Sequence, residues 1–341
     1  MSDLASAERL TQALRRANVL ADERVVRVDA DHFPEKASSD VARLRLEYDR
    51  VPAGAPASLI FKTGAPDVSG AAWSVGRQEV AFYRDVAPQM PERIAPRCFD
   101  AASNDADGSW HLVLEDLEPS HALPPLLPVP PHMAQCEAIV SALARLHARW
   151  WNARPPEKAS EARLHLRMES IVRLRERLGD VLSPQRHEML AEIARAIPAI
   201  DVERASGDVT VIHGDAHVWN CFLPAAAPYD DARFIDWGGW EIGTATDDLA
   251  CMIALCWYPE RRRRFERRLL DRYHATLLAS GVLDYDRRAL DIDYRRSVLW
   301  LAATPAWKAS DDRIPPVAWW TSLECVLSAV EDLGCRELLA S

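Results

Sequence analysis

Lysine is scarce in this chain: Lys36, Lys62, Lys158 and Lys308 stand among 341 residues, against 51 aspartates and glutamates. The formal net charge is -10 and the sequence pI is near 5.5. A nucleic-acid binder normally shows a basic excess or a basic face, so no nucleic-acid partner is expected. Paired cysteines are also missing. Cys98, Cys136, Cys221, Cys251, Cys256, Cys325 and Cys335 include no C-x-x-C and leave an odd one over. That usage reads as reduced thiols in a cytoplasmic protein and argues against a zinc or disulfide framework. No run reaches the roughly 18 apolar residues of a membrane span. The first 23 residues are broken by charges and lack the apolar core of a signal peptide. A soluble protein with no membrane partner is the expectation; composition leaves the oligomeric state open.

What is present is enough apolar material for one large core or two moderate ones, since 48% of the residues are hydrophobic. Length favours two domains. Leu10, Ala13, Leu14, Ala17 and Leu20 recur at helical spacing, which predicts an opening amphipathic helix. Strands are predicted near Val25 to Val28, over Val41 to Tyr48, over Ser58 to Lys62 and over His111 to Glu115, with Glu79 on an intervening helix. Pro119, Pro124, Pro125, Pro128, Pro130 and Pro131 then exclude helix and central strand, which puts a domain boundary there. Beyond it the periodicity is helical, beginning with Cys136 to Trp151; the exception is Val209 to Trp237, where short strands are predicted around two aspartate loops.

Those loops carry the chemistry. The apolar run ending at Ile212 delivers Asp215, Asn220 follows five positions later, and Phe234-Ile235 delivers Asp236. Phosphoryl transfer asks a protein mostly for positioning and charge neutralisation. Asp215 suits the base that accepts a proton from an attacking hydroxyl, and Asn220 and Asp236 offer hard oxygen ligands to Mg²⁺. The spacing from Asp215 to Asn220 is that of the D-x-x-x-x-N catalytic loop of protein kinases, with Gly214 where those enzymes carry Arg. Lys62 closes the apolar strand Leu59-Ile60-Phe61 and is the candidate ammonium for α- and β-phosphates, whereas Lys36 lies in a polar segment. Glu79, one helix later, is its matching carboxylate.

His213-Gly214-Asp215 with Asn220, then Ile235-Asp236-Trp237, Gly243 and Asp248-Leu249-Ala250, resembles the aminoglycoside phosphotransferase group of kinase-like enzymes. Glu79 to Tyr83, Leu114-Glu115-Asp116-Leu117 and Leu143 to Ala148 are most similar to its ecdysteroid-kinase-like branch, and the resemblance runs from about residue 40 to residue 280. It implies an α+β, bilobal protein-kinase-like fold: a small N-terminal lobe with an antiparallel sheet, residues 1–118, and a larger, mainly helical lobe, residues 119–341. It implies ATP or GTP and Mg²⁺ as cofactors and a small-molecule hydroxyl as acceptor. Residues 31–41 contain no glycine, so nothing like G-x-G-x-x-G covers the phosphates, and Ser38 and Ser39 are left for that task. Glu115 to Leu117 is the expected hinge, whose backbone receives the adenine.

Each reading has a plainer rival. His213 reads as a brace for the loop, and Asp247 and Asp248 read as N-terminal caps of a helix from Leu249 to Trp257, with Asp248 supporting the loop. His213 and His217 flanking Asp215 raise a metallohydrolase as an alternative. A non-catalytic nucleotide-binding module would lack a base or a metal ligand, and none is missing. A protein kinase would need an activation segment for which the passage from Asp236 to Asp248 leaves little room. Arg261 to Arg264 with Arg267 and Arg268 interleaves with Glu260, Glu266 and Asp271, which predicts a solvated, salt-bridged helix face. Trp237, Trp240, Trp257, Trp300, Trp307, Trp319 and Trp320 follow the catalytic loop, where related enzymes build the acceptor pocket. Several of them lining it would suit an apolar ring or a quaternary amine.

Overall fold

In the computed structural model, residues 3–33, 39–64, 70–90, 93–124, 131–153, 161–312 and 314–339 are described. In chain order the elements are α1 (Ala7–Arg16), β1 (Val25–His32), β2 (Asp40–Tyr48), β3 (Ser58–Thr63), α2 (Ala71–Ala81), β4 (Cys98–Asn104), β5 (Ser109–Glu115), β6 (His121–Ala122), α3 (Met133–Trp150), α4 (Glu161–Leu178), α5 (Pro184–Ser206), β7 (Thr210–Ile212), β8 (Cys221–Pro224), β9 (Arg233–Phe234), β10 (Glu241–Gly243), α6 (Thr246–Ala250), α7 (Pro259–Ala279), α8 (Arg287–Leu301), α9 (Ala303–Ala309) and α10 (Pro316–Asp332). They form two compact units. One comprises Met1–Leu123 with Asn220–Trp240, the other Pro124–Trp219 with Glu241–Ser341.

The first unit is built on a five-stranded antiparallel sheet in the order β1-β2-β3-β5-β4. Side chains alternate across a strand, so Leu59, Phe61 and Val113 share a face. That face packs with Leu10 and Leu14 of α1 and with Leu44 and Leu46 of β2. Helix α1 starts where the Ser6 hydroxyl accepts the Arg9 N–H; it buries Leu10, Ala13 and Leu14 of the expected stripe and ends at Arg16, before Ala17 and Leu20. Strand β4 went unpredicted because its register with β5 shifts between Cys98 and Asp100, which breaks the alternation that marks a strand. The opposite face carries Lys62 of β3 and Trp110 of β5. A β-carbon at Gly76 would meet Trp110 at 2.1 Å and one at Gly64 would meet it at 2.4 Å, so only glycine at these two positions accommodates the indole.

The second unit is helical around a two-stranded ribbon, the buried β7 paired antiparallel with the half-buried β10 so that Ile212 faces Glu241. At Gly243 a β-carbon would lie 2.7 Å from Ile212 Cδ1, the packing reason for glycine there. The arginine run on α7 divides rather than forming a single solvated face. Arg262 is fully buried, 3.0 Å from Glu266 and also bonded to Asp332, while Arg263 and Arg268 make outward pairs with Asp332 at 2.7 Å and Glu137 at 2.6 Å. Among the described residues no helix is long and apolar enough to cross a membrane.

Candidate active site

In the first unit Lys62, Glu79 and Asp236 meet. Lys62 Nζ lies 2.8 Å from Glu79 Oε2 and 3.0 Å from Oε1, and it also donates to Asp236 Oδ1. Burial alone would lower the ammonium's pKa, but the charges of Glu79 and Asp236 outweigh it and hold Lys62 above its ordinary value. Glu79 is 2% exposed and Asp236 is 37% exposed, so one carboxylate is interior and the other opens to solvent. Burial raises the Glu79 carboxyl above the usual range, with Lys62 and the Trp237 N–H pulling the other way.

Several contacts fasten α2 to the segment after Asp236. Gln78 Nε2 donates to the Trp240 carbonyl at 2.7 Å, and Trp240 Nε1 returns the bond to the Gln78 carbonyl at 2.8 Å. Trp237 stacks on Phe82 with ring centroids 3.7 Å apart and planes 6° from parallel. Gly238 passes so close to Val75 that a β-carbon would sit 2.4 Å from its methyl. Asp236 has left-handed backbone, φ 62° and ψ 55°, a conformation aspartate tolerates better than most residues. It turns the chain from β9 into a short turn of 3₁₀-helix, Trp237–Gly239.

Asn220 is buried beside this segment. Its carbonyl accepts the Ile235 N–H at 2.9 Å, a consequence of the β8–β9 register that pairs Cys221 with Phe234. The expected hinge holds an unforeseen anchor at Asp116, which is 4% exposed and accepts from Arg43 Nε at 2.8 Å and Ser58 Oγ at 2.6 Å. Glu115 is tied to Arg97 by its backbone N–H at 2.8 Å and by its side chain at 3.0 Å, and Leu117 is a core residue. Ser39 is half-buried ahead of β2; Ser38 lies outside the described residues.

The second unit holds Asp215. Gly214 turns the chain at φ 79°, and the Asp215 side chain is 53% exposed. Its backbone N–H donates to Nδ1 of the buried His213 at 3.2 Å, so His213 braces the loop. His217 Nε2 lies 3.5 Å from Asp215 Oδ2, and Cys251 Sγ lies 3.9 Å from Oδ1. Burial pushes His217 below its ordinary pKa, against the opposing pull of Asp215.

The loop rests on Asp248. Its Oδ2 accepts the His213 N–H at 2.8 Å and its Oδ1 the Gly214 N–H at 2.9 Å, while His147 Nε2 approaches to 3.2 Å. An ionised Asp248 can only accept, so Nε2 donates in that contact, and Nδ1 lies 2.8 Å from the Tyr273 hydroxyl. Burial works to raise the Asp248 carboxyl, but His147 and the backbone bonds hold it below the carboxylate range. The capping reading of Asp247 and Asp248 is thereby corrected. The residue before α6 is Ala245, which makes no side-chain cap, and both aspartates point inward, Asp247 to Arg204. Buried carboxylates are rare without partners, and these two find theirs in elements far away in sequence. Nothing local to His147 or Arg204 signals the pairing.

Trp237, Trp257, Trp300 and Trp319 are core residues, whereas Trp307 is 53% exposed. Among the described residues no group of three His, Cys, Asp or Glu side chains is placed to hold a metal ion. The oxygens of Asn220 and Asp236 fit Mg²⁺, which is bound through one or two protein ligands with water and phosphate completing the shell.

The fold is that of kinase-like small-molecule phosphotransferases. A choline kinase from Cryptosporidium parvum is similar at TM-score 0.54 and 11% identity, over 98% of this chain and 100% of that one. An ethanolamine kinase from Plasmodium vivax scores 0.53 at 11% identity, over 92% and 85%. The GDP complex of an aminoglycoside 2'-phosphotransferase of type IIIa scores 0.51 at 11% identity, over 97% and 98%. No curated protein sequence matches the chain. The model of the phosphotransferase enzyme family matches residues 54–290, and the chain belongs to that family. It is a small-molecule phosphotransferase.

Proposed function

We propose that the protein transfers the γ-phosphate of ATP or GTP to a hydroxyl of a small molecule in the presence of Mg²⁺. The observation that carries this reading is the Lys62 ammonium seated between Glu79 and Asp236. A desolvated cation with one interior and one solvent-facing carboxylate is a receptor for phosphate oxygens. Lys62 orients the α- and β-phosphates, and Glu79 positions Lys62. Asn220 and Asp236 hold the metal ion, which when bound neutralises charge on the transferring phosphates. Ser38 and Ser39 cover the phosphates, and Glu115 to Leu117 receives the base. Asp215 takes the proton of the acceptor hydroxyl as its oxygen bonds to the γ-phosphorus and the bond to the leaving diphosphate breaks. A GDP complex among the similar structures supports nucleotide use, and their named activities support an alcohol-bearing acceptor. The cytoplasm, where nucleotide and reduced thiols coexist, is the proposed location.

The test is incubation with Mg²⁺ and ATP or GTP against a panel of amino alcohols, aminoglycosides, sterol-like alcohols and sugars, read by mass spectrometry. One panel member should gain a phosphoryl group only when nucleotide and Mg²⁺ are both present. Nucleotide binding with no transfer to any of them would favour a non-catalytic module.

A further inference from the structure

The second unit grips three consecutive loop residues from one side of one helical segment. Asp248 and Cys251 are three positions apart, a spacing that puts side chains on the same helical face. Asp248 takes the backbone N–H groups of His213 and Gly214, and Cys251 Sγ reaches the next residue in line, lying 3.9 Å from Asp215 Oδ1. Asp248 begins this grip inside α6, and Cys251 opens the π-helical turn Cys251–Leu255 that continues it. Turns of that kind recur at functional sites. Cys251 is buried, and Cys256, five residues on, is only half-buried.

We propose that Cys251 is a positioning residue for the reaction, its S–H donating to Asp215 Oδ1 and holding that carboxylate in the orientation that receives the acceptor's proton. The proposal rests on the reading of Asp215 as the base. The half-exposed Asp215 side chain has His217 Nε2 3.5 Å from Oδ2 and Cys251 Sγ facing Oδ1, while its backbone is fixed by His213. A carboxylate can only accept, so the proton of the contact belongs to the thiol. The neighbouring Cys256 thiol, burial and the Asp215 charge push the Cys251 thiol well above its ordinary range, which keeps the donor protonated. A thiol is a weak donor, so its effect is to orient rather than to bind.

Two measurements decide this. The first needs no turnover: the S–H infrared band lost in Cys251→Ser is the band of Cys251, and it should move in Asp215→Ala, whose exposed side chain can be removed without touching the core. A band that stays put overturns the contact. The second uses the acceptor found by the phosphorylation panel. Cys251→Ala should lower kcat about fivefold, the size of one lost hydrogen bond, with KM unchanged, and Cys251→Ser should regain most of the loss. Equal kcat for the alanine and serine variants would show that the thiol only fills space. Full activity in Asp215→Asn would instead sink the assignment of the base, and the infrared result would still stand by itself.

Discussion

The two units solve the same problem with different materials. In the first, Lys62 is held by charge, between the interior Glu79 and the solvent-facing Asp236. In the second, the Asp215 loop is held by hydrogen bonds, its backbone fastened to Asp248 at 0% exposure and Asp248 fastened to His147. Each buries one carboxylate and leaves another open: Glu79 and Asp248 are interior, while Asp236 is 37% exposed and Asp215 53%. Buried holders are rigid because moving them leaves a charge or a donor unpaired in low dielectric. The difference lies in what a ligand can do to each. Phosphate oxygens compete directly for an ammonium, whereas nothing soluble reaches Asp248.

Three substitutions sharpen or break this contrast, taken from the largest effect down. Asp215→Asn should lower turnover by about 10²–10⁴ while leaving nucleotide affinity intact, because the half-exposed amide disturbs no holder. Steady-state rates and nucleotide titration check it, and unchanged turnover removes Asp215 as the base. Lys62→Met comes next, since it leaves the Glu79 and Asp236 carboxylates facing each other without a cation. The expected loss is about 3–5 kcal/mol of stability by denaturant titration, the usual penalty for breaking a buried pair, together with loss of nucleotide binding. A stable variant that still binds nucleotide would show that Lys62 is merely a surface-like cation.

Asp248→Asn is the mildest, because the amide keeps one carbonyl oxygen for the loop. We expect about 1–3 kcal/mol of destabilisation, the cost of an unsatisfied buried donor, and a larger fall in kcat than in nucleotide affinity. Its pH signature is distinctive. The Asp248 carboxyl is depressed in the folded protein, so its contribution is fully present above the unfolded value near 4 and disappears as pH falls through the lower folded value. The variant should lose that part of the acid dependence in denaturation followed from about pH 5 downward. Identical acid profiles for the two proteins would place the hold on the loop elsewhere.

Much of this was legible before any coordinates. The apolar strand ending in Lys62, the helix carrying Glu79 and the Asp215–Asn220 spacing are local patterns, and the strands and helices that bear them fall where periodicity puts them. Strand β4 was not, because a bulge interrupts its alternation. Nor was the inward turn of Asp247 to Arg204, since an aspartate pair at a helix start looks like a cap until its partners are known, although the support Asp248 gives the loop was read. Asp116 sits inside a recognised motif, yet its partner Arg43 lies 73 residues earlier and reads as one more exposed charge on an alternating strand.

What the chain's order of residues determines alone is therefore the inventory: which side chains end which strands, and the family chemistry they spell. Tertiary structure decides the pairings, such as Lys62 with Asp236 across 174 residues and His147 with Asp248 across 101. The physical reason is that periodicity records only the solvent-or-core preference of each position. A buried charge's choice of partner depends instead on which distant element the packing brings within about 3 Å, and no local pattern encodes that distance.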